Sequence, residues 1–233
     1  MVWFEAMSVG GREYYAEFYA DYERQSSARK LDFYMQLVRR FTPPGAELFE
    51  LGVGLGNFLA RASAEYRCTG SEVNDYGLAE ARRRVPSARL LAGSYEQIPS
   101  ERPPSVVVAW DVLEHIPEID AALACIRARL AEPGYLIAVV PVYDGPLGGL
   151  VRALDRDPTH VSKWARHAWL AAFERNGFTV LDWGGVVRRL VLGRYYLHVA
   201  RPRGLMQRVG SAIWIVGGTS AASRAPVHGR AAS

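Results

Sequence analysis

Lysine is almost absent from this chain of 233 residues. Lys30 and Lys163 stand alone beside 26 arginines, and with 24 acids the net charge is only +4. So lopsided a use of arginine, alongside abundant alanine and glycine, reflects genome composition more than a phosphate-binding design, and no nucleic-acid partner is favoured. Cysteine is scarce as well. Cys68 and Cys125 give neither a disulfide framework nor metal-ligand spacing, which points to a reducing compartment and two small buried hydrophobes. His-Glu-x-x-His is absent, so no metal site is expected from linear signatures. No run approaches the ~18 apolar residues needed to span a bilayer. Met1 to Glu5 lacks a basic region followed by an apolar stretch, so no secretory signal is expected and the expected location is cytoplasmic. At 49% hydrophobic, the chain has material for one domain with a full core.

What is present begins at Glu50-Leu51-Gly52-Val53-Gly54-Leu55-Gly56. A short apolar run, Ala46 to Phe49, precedes it, and a helix-like segment from Asn57 to Ala64 follows. Alternate glycines describe a tight turn that a bulky ligand can approach closely, because glycine permits positive φ and carries no Cβ. The helix N-terminus beyond offers unpaired N–H groups. A dinucleotide fingerprint needs its third glycine at position 57, where this chain has Asn57. Glu50 in front of the turn is unwelcome beside a diphosphate. A cationic ligand suits it.

Further along, Glu72 closes a second strand-like run, Cys68 to Val73. An acid there is placed to accept hydrogen bonds from two ribose hydroxyls. Val106 to Trp110 leads into Asp111-Val112-Leu113-Glu114-His115, and Pro133-Gly134 into Tyr135 to Pro141. Taken in order, these motifs resemble the class I S-adenosylmethionine-dependent methyltransferases, in their small-molecule branch, over roughly residues 46 to 200. The resemblance implies S-adenosyl-L-methionine as cofactor, held by Glu50, Gly52, Gly54, Gly56, Glu72 and Val73, with Ser94, Tyr95 and Asp111 in second rank. Ser94 stands where relatives often carry Asp, and its hydroxyl is a weaker partner for the adenine amine.

The expected architecture is α/β: a doubly wound, Rossmann-like, seven-stranded and mostly parallel sheet with an antiparallel terminal hairpin. Strands are expected at 46–51, 67–73, 88–92, 105–110, 135–141, 178–187 and 194–201, with helices at 57–64, 77–84, 119–130 and 165–176. Residues 1–45 form a helical lid in this reading, 46–201 the methyltransferase core, 202–216 an amphipathic helix and 217–233 a flexible tail. Within the lid, Tyr15, Phe18, Tyr19 and Tyr22 share one helical face, which either packs on the sheet or covers the cofactor. The spacing of Leu205, Met206, Val209, Ala212, Ile213 and Val216 suggests a helix that packs back on the domain or on a second copy. The alternative is an interfacial membrane contact through 203–216.

The excursion 142–164 leaves the carboxyl end of a central strand, the edge where ligands bind in such sheets. It carries His160, a candidate acid–base group whose plain reading is a hydrogen bond to the Asp157 turn. His115, after the fourth strand, is the second candidate, since a neutral imidazole accepts a proton near pH 6.5; the alternative for the Glu114-His115 pair is a structural or cofactor-supporting role. The expected reaction is methyl transfer to an O, N or C atom of a small molecule, lipid-like or from specialised metabolism. The alternatives are a nucleic-acid methyltransferase, whose Asn- or Asp-Pro-Pro-Tyr motif Asp111 to Glu114 does not match, and a non-catalytic cofactor-binding module.

Overall fold

The computed structural model describes residues 26–146, 148–155, 157–191, 195–201 and 204–222. The aromatic segment with Tyr15, Phe18, Tyr19 and Tyr22 lies outside them. The first helix, α1 (Ala28–Phe41), starts where the Ser27 hydroxyl accepts from the Lys30 N–H. It buries Tyr34, Met35, Leu37, Val38 and Phe41, one apolar stripe at helical spacing. After it come β1 (Glu47–Leu51), α2 (Asn57–Ala62), β2 (Arg67–Glu72), α3 (Asp75–Arg84) and β3 (Arg89–Ala92). Then follow β4 (Val106–Trp110), α4 (Ile119–Arg129), β5 (Tyr135–Pro141), α5 (Gly148–Leu154) and α6 (Arg166–Arg175). The chain closes with β6 (Thr179–Val191), β7 (Tyr195–Arg201), a short α7 (Leu205–Val209) and β8 (Ala212–Gly218).

These strands form one sheet in the order β3-β2-β1-β4-β5-β8-β6-β7. The first five run parallel, and β8 pairs antiparallel with both β5 and β6. The expected antiparallel hairpin is β6–β7, with Gly185 opposite Arg201. Helices cover both faces. On one, α1, α2 and α3 pack on Leu48, Val106, Ile137 and Trp214. On the other, α4 and α6 bring Leu123, Ile126, Trp169 and Phe173 against Phe49, Val107, Leu136 and Ile215. Strand order reverses between β1 and β4, which opens a crevice at their carboxyl ends.

Two expectations need correction. The sheet has eight strands rather than seven, and the segment 202–216 is no amphipathic helix. Helix α7 stops at Val209, and Ala212–Gly218 forms a strand buried at every position. Ala212, Trp214 and Val216 face one core cluster while Ile213 and Ile215 face the other. A strand buried on both faces shows no polar alternation, so its apolar residues mimic a helical period. This also removes the membrane-contact reading, because Ile213, Trp214, Ile215 and Val216 lie inside the sheet. Gly217 and Gly218, assigned to the tail, are strand residues.

Candidate functional site

The turn after β1 needs its glycines. Gly52, Gly54 and Gly56 have φ of 72°, 56° and 83°, the left-handed region that side chains resist. Room is short as well: a Cβ on Gly52 would meet Val112 at 2.5 Å. The turn is tied to β2 by N–H groups of Gly52 and Val53 donating to the Ser71 carbonyl at 2.9 and 3.0 Å. Gly54 N–H donates to Glu72 Oε2 at 2.7 Å, and Asn74 N–H to Glu72 Oε1 at 2.9 Å. The carboxylate keeps acceptor capacity beyond these bonds.

Glu50 lies beside this arrangement, 3% exposed, with Oε2 buried and unpartnered. Burial pushes its carboxyl well above the ordinary range, and the charge of Glu72 adds to the rise. Burial raises Glu72 too, opposed by hydrogen bonds from the backbone of Asn74, Gly54 and Val73. Two buried acids strained in this way fit a ligand that brings positive charge and hydroxyl donors. Asn57 Nδ2, at the start of α2, is likewise buried and unpartnered.

The remaining cofactor candidates line the same edge. Val73 directly follows β2. Ser94 is buried after β3, with its N–H donating to Glu96 Oε1 at 2.9 Å. Tyr95 follows on a short 3-10 turn and packs on the α4 side of the core, where burial raises its hydroxyl pKa, helped by Glu96. Asp111 directly follows β4 with φ of 59°, the one non-glycine residue with positive φ among the described residues. Such strain concentrates where a side chain must point in a set direction. Its Oδ2 lies 3.8 Å from Lys30 Nζ. Next to it, Trp110 stacks on Tyr34 at 4.0 Å and 8°. Helix α1 thus supplies Lys30 and Tyr34 to the edge, contributions that the sequence reading missed.

The two histidines, 45 positions apart in sequence, meet with ring centroids 4.6 Å apart. His115 sits on the 3-10 turn Leu113–His115, and His160 on the excursion after β5. The excursion is fastened to that turn, since Val161 and Ser162 N–H groups donate to the Glu114 carbonyl at 3.0 and 2.9 Å. Asp144 further holds it to α6 through Arg166 Nε at 3.0 Å. A neighbouring group fixes the His115 tautomer. Thr159 Oγ1 donates its only proton to Asp157 Oδ1 at 2.5 Å, so it accepts from His115 Nδ1 at 2.8 Å. His160 Nδ1 lies 3.0 Å from Asp155 Oδ1, and its Nε2 lies 3.8 Å from Asp157 Oδ2.

Burial would push Asp155 up, yet hydrogen bonds from Tyr143, Lys163 and His160 hold it down at about 2. Burial lowers His115 to about 4, with His160 adding to the fall and Asp157 and Asp111 opposing it. At neutral pH His115 is therefore an uncharged imidazole with a free lone pair. The plain reading of His160, a contact with the Asp157 turn, holds at the same time: its N–H donates to the Asp157 carbonyl at 3.4 Å. Glu114 is wholly buried beside the pair. Its nearness to His160 comes from adjacent strand ends, which linear spacing conceals.

Residues 22–182 match the methyltransferase domain family, about two thirds of the chain. The chain belongs to that family. S-adenosylmethionine is the cofactor the family uses, and the glycine turn, Glu50 and Glu72 suit it. No curated protein matches this methyltransferase. Solved structures share its fold at low identity. A S-adenosylmethionine-dependent methyltransferase from Thermotoga maritima is 17% identical with a TM-score of 0.67, covering 88% of this chain and 98% of its own. The magnesium protoporphyrin IX methyltransferase of Synechocystis PCC 6803, with bound S-adenosylhomocysteine, is 15% identical with a TM-score of 0.63 and coverages of 90% and 98%. A Haloferax volcanii methyltransferase, solved with its Trm112 activator, is 14% identical with a TM-score of 0.68 and coverages of 91% and 97%. Among the described residues, no helix is long and apolar enough to cross a membrane.

Proposed function

We propose that this methyltransferase acts on a small molecule whose accepting atom carries a proton, an oxygen or a nitrogen, and that His115 and His160 form the acceptor side of its site. The cofactor supplies an activated methyl group on a positively charged sulfur. In this reading Glu50, Gly52, Gly54, Gly56, Glu72, Val73, Ser94, Tyr95 and Asp111 hold it at the carboxyl ends of β1, β2, β3 and β4. Alignment of the acceptor with that methyl is the main task, and proximity and orientation supply about 7–11 kcal/mol of barrier reduction. Proton removal by an imidazole adds about 10²–10⁴-fold.

The observation that carries the reading is the paired imidazoles, each with Nδ1 engaged by a polar partner. They lie beyond Asp111 at the edge where the cofactor-binding turn sits. The Synechocystis relative acts on a small molecule, which supports the same class of acceptor here. The test is transfer of labelled methyl from S-adenosylmethionine into fractionated cell extract. Label is expected in the small-molecule fraction. Incorporation confined to nucleic acid or protein would refute the reading.

A further inference from the structure

The structure places three metal-ligating side chains together where the sequence shows no metal signature. Glu114, His115 and His160 each offer a donor atom, and these atoms lie within 4.8 Å of one another. We propose that these three residues bind one divalent transition-metal ion, and that the acceptor of this methyltransferase is a hydroxyl compound whose oxygen takes an open position on that ion. The catalytic half of this statement rests on the acceptor-side reading above; the binding half does not.

Three features support the site. The first is convergence from two elements: the turn after β4 brings Glu114 and His115, and the excursion brings His160. The backbone hydrogen bonds from Val161 and Ser162 to Glu114 hold the two elements in place. Donor atoms around a tetrahedral ion stand about 3.4 Å apart at ordinary bond lengths of about 2.1 Å. A modest inward rotation of the side chains therefore completes the set.

The second feature is the layer behind the ligands. Metal-binding imidazoles commonly give their other N–H to a carboxylate or a polar oxygen, which fixes the tautomer and the ring plane. Both do so here. His160 pairs with Asp155, which also accepts from Tyr143 at 2.6 Å and Lys163 at 2.9 Å. His115 pairs with Thr159, itself held by Asp157. The turn behind them is closed by N–H groups of Asp157 and Thr159 donating to Asp155 Oδ1 and Asp157 Oδ1 at 3.2 and 2.9 Å. Asp157 Oδ2 also lies 3.8 Å from His160 Nε2, near enough to join as a fourth ligand.

The third feature is Glu114. Its side chain is fully buried, and its carboxylate converges with the two imidazoles, adding an oxygen donor to two nitrogen donors. Two nitrogens and one carboxylate favour manganese, iron, cobalt, nickel or zinc over magnesium or calcium, which prefer all-oxygen sites. Three protein ligands leave positions open for substrate, and an ion so held makes a coordinated hydroxyl more acidic. The O–H proton then passes to solvent, an O–CH3 bond forms as the S–CH3 bond breaks, and the electron pair returns to sulfur. The charge balances, with a sulfonium becoming a thioether.

The test uses the full-length protein, stripped with a chelator and titrated with Co2+, Zn2+ and Mg2+ by calorimetry and, for Co2+, by visible absorption. One Co2+ per chain is expected, bound at least tenfold more tightly than Mg2+, with ligand-field bands that show nitrogen coordination. Glu114→Gln, His115→Asn and His160→Asn should each lose at least tenfold in Co2+ affinity while keeping S-adenosylhomocysteine affinity. If buried Glu114→Gln fails to fold, the partly exposed His160→Asn alone decides. Undiminished Co2+ binding in the foldable variants, or equal affinity for Mg2+, overturns the site. If the ion binds but chelation leaves methyl transfer unchanged, the site stands and the acceptor role of the pair falls. If no ion binds and His160→Ala still slows turnover, the pair acts as a base and the metal proposal falls.

Discussion

The two ends of the central strands treat their charges in opposite ways. At the amino end, a groove of about 760 Å³ is lined by Glu47, Arg67, Arg89, Glu101 and Arg102. Its charges are matched in solvent: Arg67 Nε meets Glu47 Oε1 at 2.6 Å, and Arg102 approaches the same oxygen at 4.0 Å. At the carboxyl end, Glu50 and Glu72 are buried, and burial raises the pKa of both carboxyls. The energetics favour the carboxyl end, since an acid desolvated without a cation is kept only where a ligand supplies what is missing.

Substitutions should separate the two ends sharply. His160→Ala is expected to slow turnover by at least about a hundredfold while nearly preserving S-adenosylhomocysteine affinity. Steady-state rates beside calorimetry measure this, and a near-normal rate would mean that alignment alone suffices. Glu72→Ala should weaken S-adenosylhomocysteine binding by about 1.5–3 kcal/mol, the range for hydrogen bonds to a charged group. Unchanged affinity would remove Glu72 from the cofactor site.

Glu50→Gln should act in two directions. An acid whose pKa is raised by folding holds its proton better in the native state, so the native state loses stability as pH rises beyond the ordinary Glu range. Without cofactor, Glu50→Gln is therefore expected to raise the urea midpoint, more at pH 8 than at pH 5, while weakening S-adenosylmethionine binding. A variant less stable than the parent at pH 8 would show that the Glu50 charge is already satisfied. The smallest effect belongs to the amino end, where Arg67→Ala should cost under about 1 kcal/mol and leave turnover unchanged. A large loss of activity there would break the contrast between the two ends.

Much of the parallel half was legible in the residues. The glycine turn, the acids at the ends of β1 and β2, and the apolar runs of β4 and β5 are local signals, and the observed bounds fall within about two residues of those expected. The carboxyl-edge placement of His115 and His160 followed from the same pattern. Their partners did not. Tyr143, Asp155 and Thr159 matter through contacts made by a folded excursion, and Lys30 and Tyr34 arrive from a helix more than seventy residues before Asp111 and Trp110. Strand β8 was hidden for a different reason. Leu205, Met206 and Val209 do form a helical turn, and Ala212, Ile213 and Val216 continue its spacing by coincidence while pointing to opposite faces of the sheet.

The position of β8 also constrains how this molecule is made. Its partner β5 is complete long before Ala212–Gly218 emerges during synthesis, and β6 shortly before, yet each lacks a neighbour until that segment arrives. Until then β5 presents an unpaired, fully apolar edge, the kind of surface that recruits other chains. Removing everything after Gly204 would therefore not trim an appendage. It would leave the nascent sheet split between β5 and β6, and the product is expected to aggregate rather than persist as a shortened enzyme.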